Sequence, residues 1–129
     1  MGERFAPYFR VASSRKPTRI IRLSALYCPG IQLIIAELSI VPIGSGTSVS
    51  KYVKIAIKAL EGRGVRVIPG PMSTVLECKD IDLLFKAVKA AHRAVLAAGP
   101  VRIVTTLKID DRTDKDASVD SKLRAILSP

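Results

Sequence analysis

The sequence predicts an α+β protein: a ferredoxin-like βαββαβ sandwich, with a four-stranded antiparallel sheet, two helices on one face and the other face open. Two observations predict it. From Leu33 to Ile109 the hydrophobic period switches between about two and about 3.6, in the order strand, helix, strand, strand, helix, strand. Glycine and proline stand at the breaks: Pro42, Gly62 with Gly64, Pro69-Gly70-Pro71 and Gly99-Pro100.

The first strand reads Leu33 to Val41, rich in Ile, Leu and Val. Alternation puts Ile34, Ala36, Leu38 and Ile40 on one face, wholly apolar and suited to meet helices. Ile35, Glu37, Ser39 and Val41 share the other face, where two polar groups suit a pocket or a second subunit. Pro42 ends the strand, and Gly44-Ser45-Gly46-Thr47-Ser48 forms a turn with several candidate N-caps. A helix follows to Glu61, with Val49, Tyr52, Val53, Ala56, Ile57 and Leu60 at helical spacing; Gly62 and Gly64 stop it. Val65 to Ile68 is a short strand, and Met72 to Cys78 is its hairpin partner. Asp80 opens a long helix to Ala98, with Ile81, Leu84, Phe85, Val88, His92 and Val95 on its buried stripe. Val101 to Ile109 is the last strand, and Ser118 to Leu127 reads as a short helix in the tail.

The chain divides into a basic extension (1–31), the sandwich (32–116) and a C-terminal tail (117–129). At 129 residues it can bury about two-thirds of its unfolded surface, and a 48% hydrophobic content excludes wholesale disorder. The longest apolar stretch, Leu33 to Ile43, is interrupted by Glu37, Ser39 and Pro42 and falls short of the roughly 18 residues of a membrane span. Cys28 and Cys78 are too few for a disulfide framework or a structural zinc site; they fit a reducing, cytoplasmic setting, with a single bridge between them left open.

The net charge of +10 is unevenly spread along the chain. Residues 1–31 carry six basic groups and one acid, while the other 98 residues carry 15 and 10. The Arg- and Ser-rich leader suits a transit segment, a polyanion-binding arm or an extension without a role of its own. The body is only mildly basic, its cations interleaved with acids.

Ala36-Glu37-Leu38-Ser39-Ile40-Val41-Pro42-Ile43-Gly44, followed by Gly46-Thr47-Ser48-Val49-Ser50-Lys51-Tyr52-Val53, resembles the opening of the thiamine-binding protein family. Pro71-Met72-Ser73-Thr74-Val75-Leu76-Glu77 is similar to its central hairpin strand. Val88-Lys89-Ala90-Ala91-His92 and Val104-Thr105-Thr106-Leu107-Lys108-Ile109-Asp110-Asp111-Arg112 are similar to its second helix and last strand. The resemblance spans residues 33–116 and leaves the leader outside. It implies a ferredoxin-like subunit that pairs through open sheet faces into a homodimer or a dimer of dimers. It also implies a ligand, thiamine or its hydroxymethylpyrimidine moiety, with no catalysis and no resident cofactor.

Thiamine poses a defined problem: an aminopyrimidine needing hydrogen-bond partners and a flat apolar slot, and a thiazolium with fixed positive charge. If Ile103, Thr105 and Leu107 point to the helices, then Arg102, Val104, Thr106 and Lys108 join Glu37 and Ser39 on the open face. Glu37 is expected to take the amine or cationic part, with Ser39 and Thr106 as hydrogen-bonding partners, Lys108 beside them and Glu77 joining from the hairpin. The competing reading is a Glu37–Lys108 ion pair between subunits. Ser48, in the turn before the first helix, either rims the slot or belongs to an ordinary capping turn. Tyr52 either stacks on the pyrimidine or is a half-buried core tyrosine. His92 reads as a hydrogen-bonded core residue rather than a base, and Asp110 to Asp116 as a self-neutralising loop, since it lacks the glycine and terminal glutamate of a calcium loop.

No Ser–His–Asp set, acid–base pair, metal cluster or nucleotide fingerprint emerges, so the reading is non-enzymatic: a carrier or sensor of a small molecule. The alternatives are a basic nucleic-acid-binding module or a purely structural assembly domain. The predicted strands carry no Phe, Tyr or Trp, which argues against sheet-based RNA readout.

Overall fold

The computed structural model describes residues 32–129, so the readings of the leader and of Cys28 lie outside the described residues. The elements are β1 (Ile34–Ile43), α1 (Ser50–Leu60), β2 (Arg66–Pro69), β3 (Thr74–Cys78), α2 (Ile81–Ala97), β4 (Arg102–Asp110) and α3 (Val119–Leu127). The four strands form one antiparallel sheet in the order β2-β3-β1-β4. The ferredoxin-like βαββαβ architecture read from the sequence is the one observed.

The core lies between the sheet and the α1/α2 layer. Ile34, Ala36, Leu38 and Ile40 of β1 are buried there with Leu76 and Cys78 of β3, Ala56 and Leu60 of α1, and Leu84, Ala87, Val88, Ala91 and Val95 of α2. Alternation assigned the β1 face correctly. On α2 the stripe is rotated: Ile81 and Phe85 are exposed, and Ala87 and Ala91 take the buried positions. Methyl side chains let the helix lie close to its neighbours, whereas large residues at those positions would hold it off.

Pro42 does not end β1. The strand continues to Ile43, because β3 pairing has already stopped at Leu38 and one side of β1 needs no further N–H. Gly44 (φ +80°) and Gly46 (φ +87°) then turn the chain in backbone conformations that side chains disfavour. None of the expected hydroxyls caps α1. Its N-cap is Val49, whose carbonyl accepts from the Tyr52 and Val53 amides. Asp80 caps α2 as expected, accepting from the Leu83 amide at 2.9 Å.

The face away from α1 and α2 is not wholly open. Ser118 and Ser121 form a reciprocal capping box that starts α3, and Ala117 and Ser118 are buried. The first turn of α3 is pinned to the face at Glu77 and Arg66.

Candidate functional site

β1 and β4 run side by side from Ile35↔Asp110 to Ile43↔Arg102. Directly opposed residues of an antiparallel pair share a face, so the second face reads as rows across the sheet. Glu77, Ile35 and Asp110 form the first row, and Val75, Glu37 and Lys108 the next. Ser39 lies opposite Thr106, Val41 opposite Val104, and Ile43 opposite Arg102.

The centre of this face is polar. The Lys108 ammonium donates to Glu37 Oε2 at 3.1 Å, within one chain, where the sequence reading had set such a pair between subunits. The side chains are 77% and 48% exposed, so the pair is a solvated, readily exchanged contact. Ser39 and Thr106 follow in the next row. Glu37, Ser39, Thr106 and Lys108 are thus brought together on neighbouring strands. Val41 and Val104, both exposed, lie beyond them, and half-buried Val75 and Ile35 lie on the other side.

Glu77 shares the face but stands under α3 and is only 7% exposed. Arg66 donates to its Oε1 at 3.0 Å, and the Val119 amide donates to its Oε2 at 2.6 Å. Arg66 also donates to both carboxylate oxygens of Asp120, at 3.2 and 3.3 Å. Burial alone would lower the Arg66 pKa, but its hydrogen bonds to Asp120 and Glu77 outweigh it and the net direction is upward. Lys122 pairs with Asp110 further along α3. Sequence reasoning missed Arg66. The signal was the hairpin register: Gly70 N–H donates to Ser73 O at 2.9 Å, and counting outward from that turn sets Arg66 opposite Glu77.

Ser48 and Tyr52 belong to the loop before α1 and to its first turn, in the other layer. Ser48 Oγ lies 3.4 Å from Ser50 Oγ, and the half-buried Tyr52 ring packs on the core with Lys51 Nζ 5.7 Å from its centroid. His92 Nδ1 lies 2.8 Å from Thr105 Oγ1, so the histidine is hydrogen-bonded, though half-buried rather than in the core, and Thr105 points to the helices. Cys78 is buried with Sγ donating to the Asp80 carbonyl at 3.3 Å, and burial pushes its thiol pKa up. In the loop after β4, the Arg112 guanidinium holds the Asp114 carboxyl down at about 2.

The fold and this face together define a ferredoxin-like sandwich whose exposed strands carry a compact polar cluster amid aliphatic side chains. Residues 36–127 match the model of the thiamine-binding protein family, and the chain belongs to that family. It is 48% identical over 95 residues to a UPF0045 protein of Methanothermobacter thermautotrophicus, covering 73% of this chain and 96% of that one. Among solved structures it is similar to a hypothetical protein from Methanocaldococcus jannaschii, with 46% identity and a TM-score of 0.68 over 74% of this chain and 96% of that one. A domain of unknown function from Bacillus cereus is 31% identical, with a TM-score of 0.65 over 75% of this chain and 92% of that one.

Proposed function

We propose that the chain is a non-enzymatic carrier or sensor that binds thiamine, or its hydroxymethylpyrimidine moiety, on the second sheet face of a homo-oligomer. The observation that carries this reading is the Glu37, Ser39, Thr106, Lys108 cluster on an exposed, otherwise aliphatic face, in a chain of the thiamine-binding family. Glu37 supplies the negative charge that an amine or thiazolium requires. The Lys108 ammonium now holds that carboxylate, and a cationic ligand replaces it at little cost because the pair is solvated, worth about 0–1 kcal/mol. Ser39 and Thr106 hydroxyls donate to and accept from the pyrimidine edge, while Val41 and Val104 offer the apolar floor. Glu77 holds α3 in place as one wall of the recess.

Titration calorimetry with thiamine on the wild-type chain and on Glu37→Gln, with native mass spectrometry of both, tests the proposal. Saturable binding that weakens at least tenfold in Glu37→Gln at unchanged oligomer mass is the expected result. No saturable binding by the wild type, or equal affinity in the variant, overturns it.

A further inference from the structure

The described residues carry 15 cations and 10 acids, and they are unevenly divided between the two layers of the fold. The segments forming the helix layer (50–65 and 79–98) hold eight cations and three acids; the sheet and the C-terminal segment hold seven of each. The whole excess of +5 therefore sits on the α1/α2 side. Every ion pair among the described residues lies elsewhere, at Glu37, Arg66, Asp110 and Arg112 with their partners.

Both helices present this charge with the same spacing. Lys51, Lys54 and Lys58 of α1 and Lys86, Lys89 and Arg93 of α2 stand at i, i+3, i+7, which places each trio on one helical face. All six are exposed, and the α2 trio lies directly opposite the buried Leu84, Ala87, Val88, Ala91 and Val95. The three acids, Glu61, Asp80 and Asp82, gather at the end of the layer where α1 finishes and α2 begins. The rest of the layer is cationic without counter-charge among the described residues.

We infer that the outer surface of the α1/α2 layer is a sequence-independent docking site for the phosphate backbone of nucleic acid. Each row spans about 10.5 Å, and packed helices lie about 8–10 Å apart, so six cations face outward over a patch of that scale. A duplex presents about six phosphates over the same length of axis. An anionic bilayer is the poorer fit. A helix lying in a membrane interface turns its apolar arc to the lipid, whereas the outermost line of α2 is charged, Asp82 followed by Lys86, Lys89 and Arg93, and the exposed Phe85 and Leu96 are rotated to its β4 side, with His92. The surface is on the opposite side of the sheet from the proposed ligand site, so the two readings stand independently.

Fluorescence anisotropy with a 25-base-pair duplex, a single strand and an RNA of the same length, across a salt series, tests the inference on the full chain. Lys54→Gln/Lys89→Gln/Arg93→Gln is compared with Arg102→Gln/Lys115→Gln/Arg124→Gln, a variant of equal charge in the sheet and C-terminal segment. Six phosphate contacts give a slope of log K against log salt near −5, and the helix-layer triple variant makes it shallower by about 2.7. The control leaves the slope within about one of wild type. Both variants are checked by circular dichroism, and their positions, exposed and outside every ion pair among the described residues, leave the fold intact. Equal losses in the two variants assign the binding to net charge or the leader and overturn the inference. So does a wild-type chain that binds phosphatidylserine vesicles but no nucleic acid.

Discussion

The attachment of α3 rests on one buried carboxylate, which makes Glu77→Ala the most informative single substitution. No residue of α3 is buried, so the helix is held by polar links rather than by core packing: Glu77 to the Val119 amide, Arg66 to Asp120, and Lys122 to Asp110. The last two involve half-exposed partners and are screened by water; Glu77 is not. Deleting it removes two hydrogen bonds to a charged acceptor, each worth about 1.5–3 kcal/mol. Arg66 keeps Asp120 and a 25% exposed side chain, so its share of the penalty falls at the low end. The expected loss is about 3 kcal/mol for alanine and about 1 kcal/mol for Glu77→Gln, which keeps one acceptor. Urea denaturation measures the global part. Hydrogen exchange locates the rest: amides of 119–127 should exchange at least tenfold faster relative to those of β1 and β4. Unchanged α3 protection at a global loss under about 0.5 kcal/mol would refute the tether.

Lys108→Ala removes the internal competitor for Glu37 and should raise thiamine affinity severalfold by calorimetry, with stability changed by less than about 0.5 kcal/mol because the pair is exposed. Thr105→Val leaves the half-buried His92 Nδ1 without its partner and should cost about 1 kcal/mol in urea, with ligand affinity unchanged. Burial raises the Cys78 pKa above its ordinary 9.0, so the fold binds the thiol proton more tightly than the unfolded chain does. The resulting stability is complete below pH 9.0 and is lost as pH rises through the folded-state value; Cys78→Ala, compared by thermal melts from pH 8 to 11, should show a shallower alkaline decline.

Local periodicity decided what was legible. The faces of β1 and β4 could be read because alternation needs only neighbours in sequence, and the side-by-side strands of the expected fold then bring Glu37, Ser39, Thr106 and Lys108 together. The α2 stripe was misread at Ile81 and Phe85 because hydrophobicity was allowed to outrank size, and a close packing surface prefers Ala87 and Ala91. The role of α3 was hidden for a different reason. Its anchors join residues 54 and 42 positions apart, and no local pattern encodes that Arg66 will meet Asp120 or that Glu77 will meet Val119. The charge excess of the helix segments is present in the sequence, but which face of each helix carries it depends on which face the sheet buries.

A flat sheet cannot by itself hold a small molecule, since binding sites of that class bury about 70–90% of their ligand. Glu37, Ser39 and Thr106 with the Val41–Val104 row supply a floor, and α3 supplies a wall only at the Glu77 end. The remaining enclosure in the proposed site has to come from another surface. Val41, Ile43 and Val104 on the sheet are exposed, an apolar strip beside the polar centre that a second copy is suited to cover, and Leu123, Ile126 and Leu127 on α3 are exposed as well. On this argument ligand affinity and self-association are one linked equilibrium: whatever closes the face over Glu37 completes the pocket, and whatever fills the pocket stabilises the closed face.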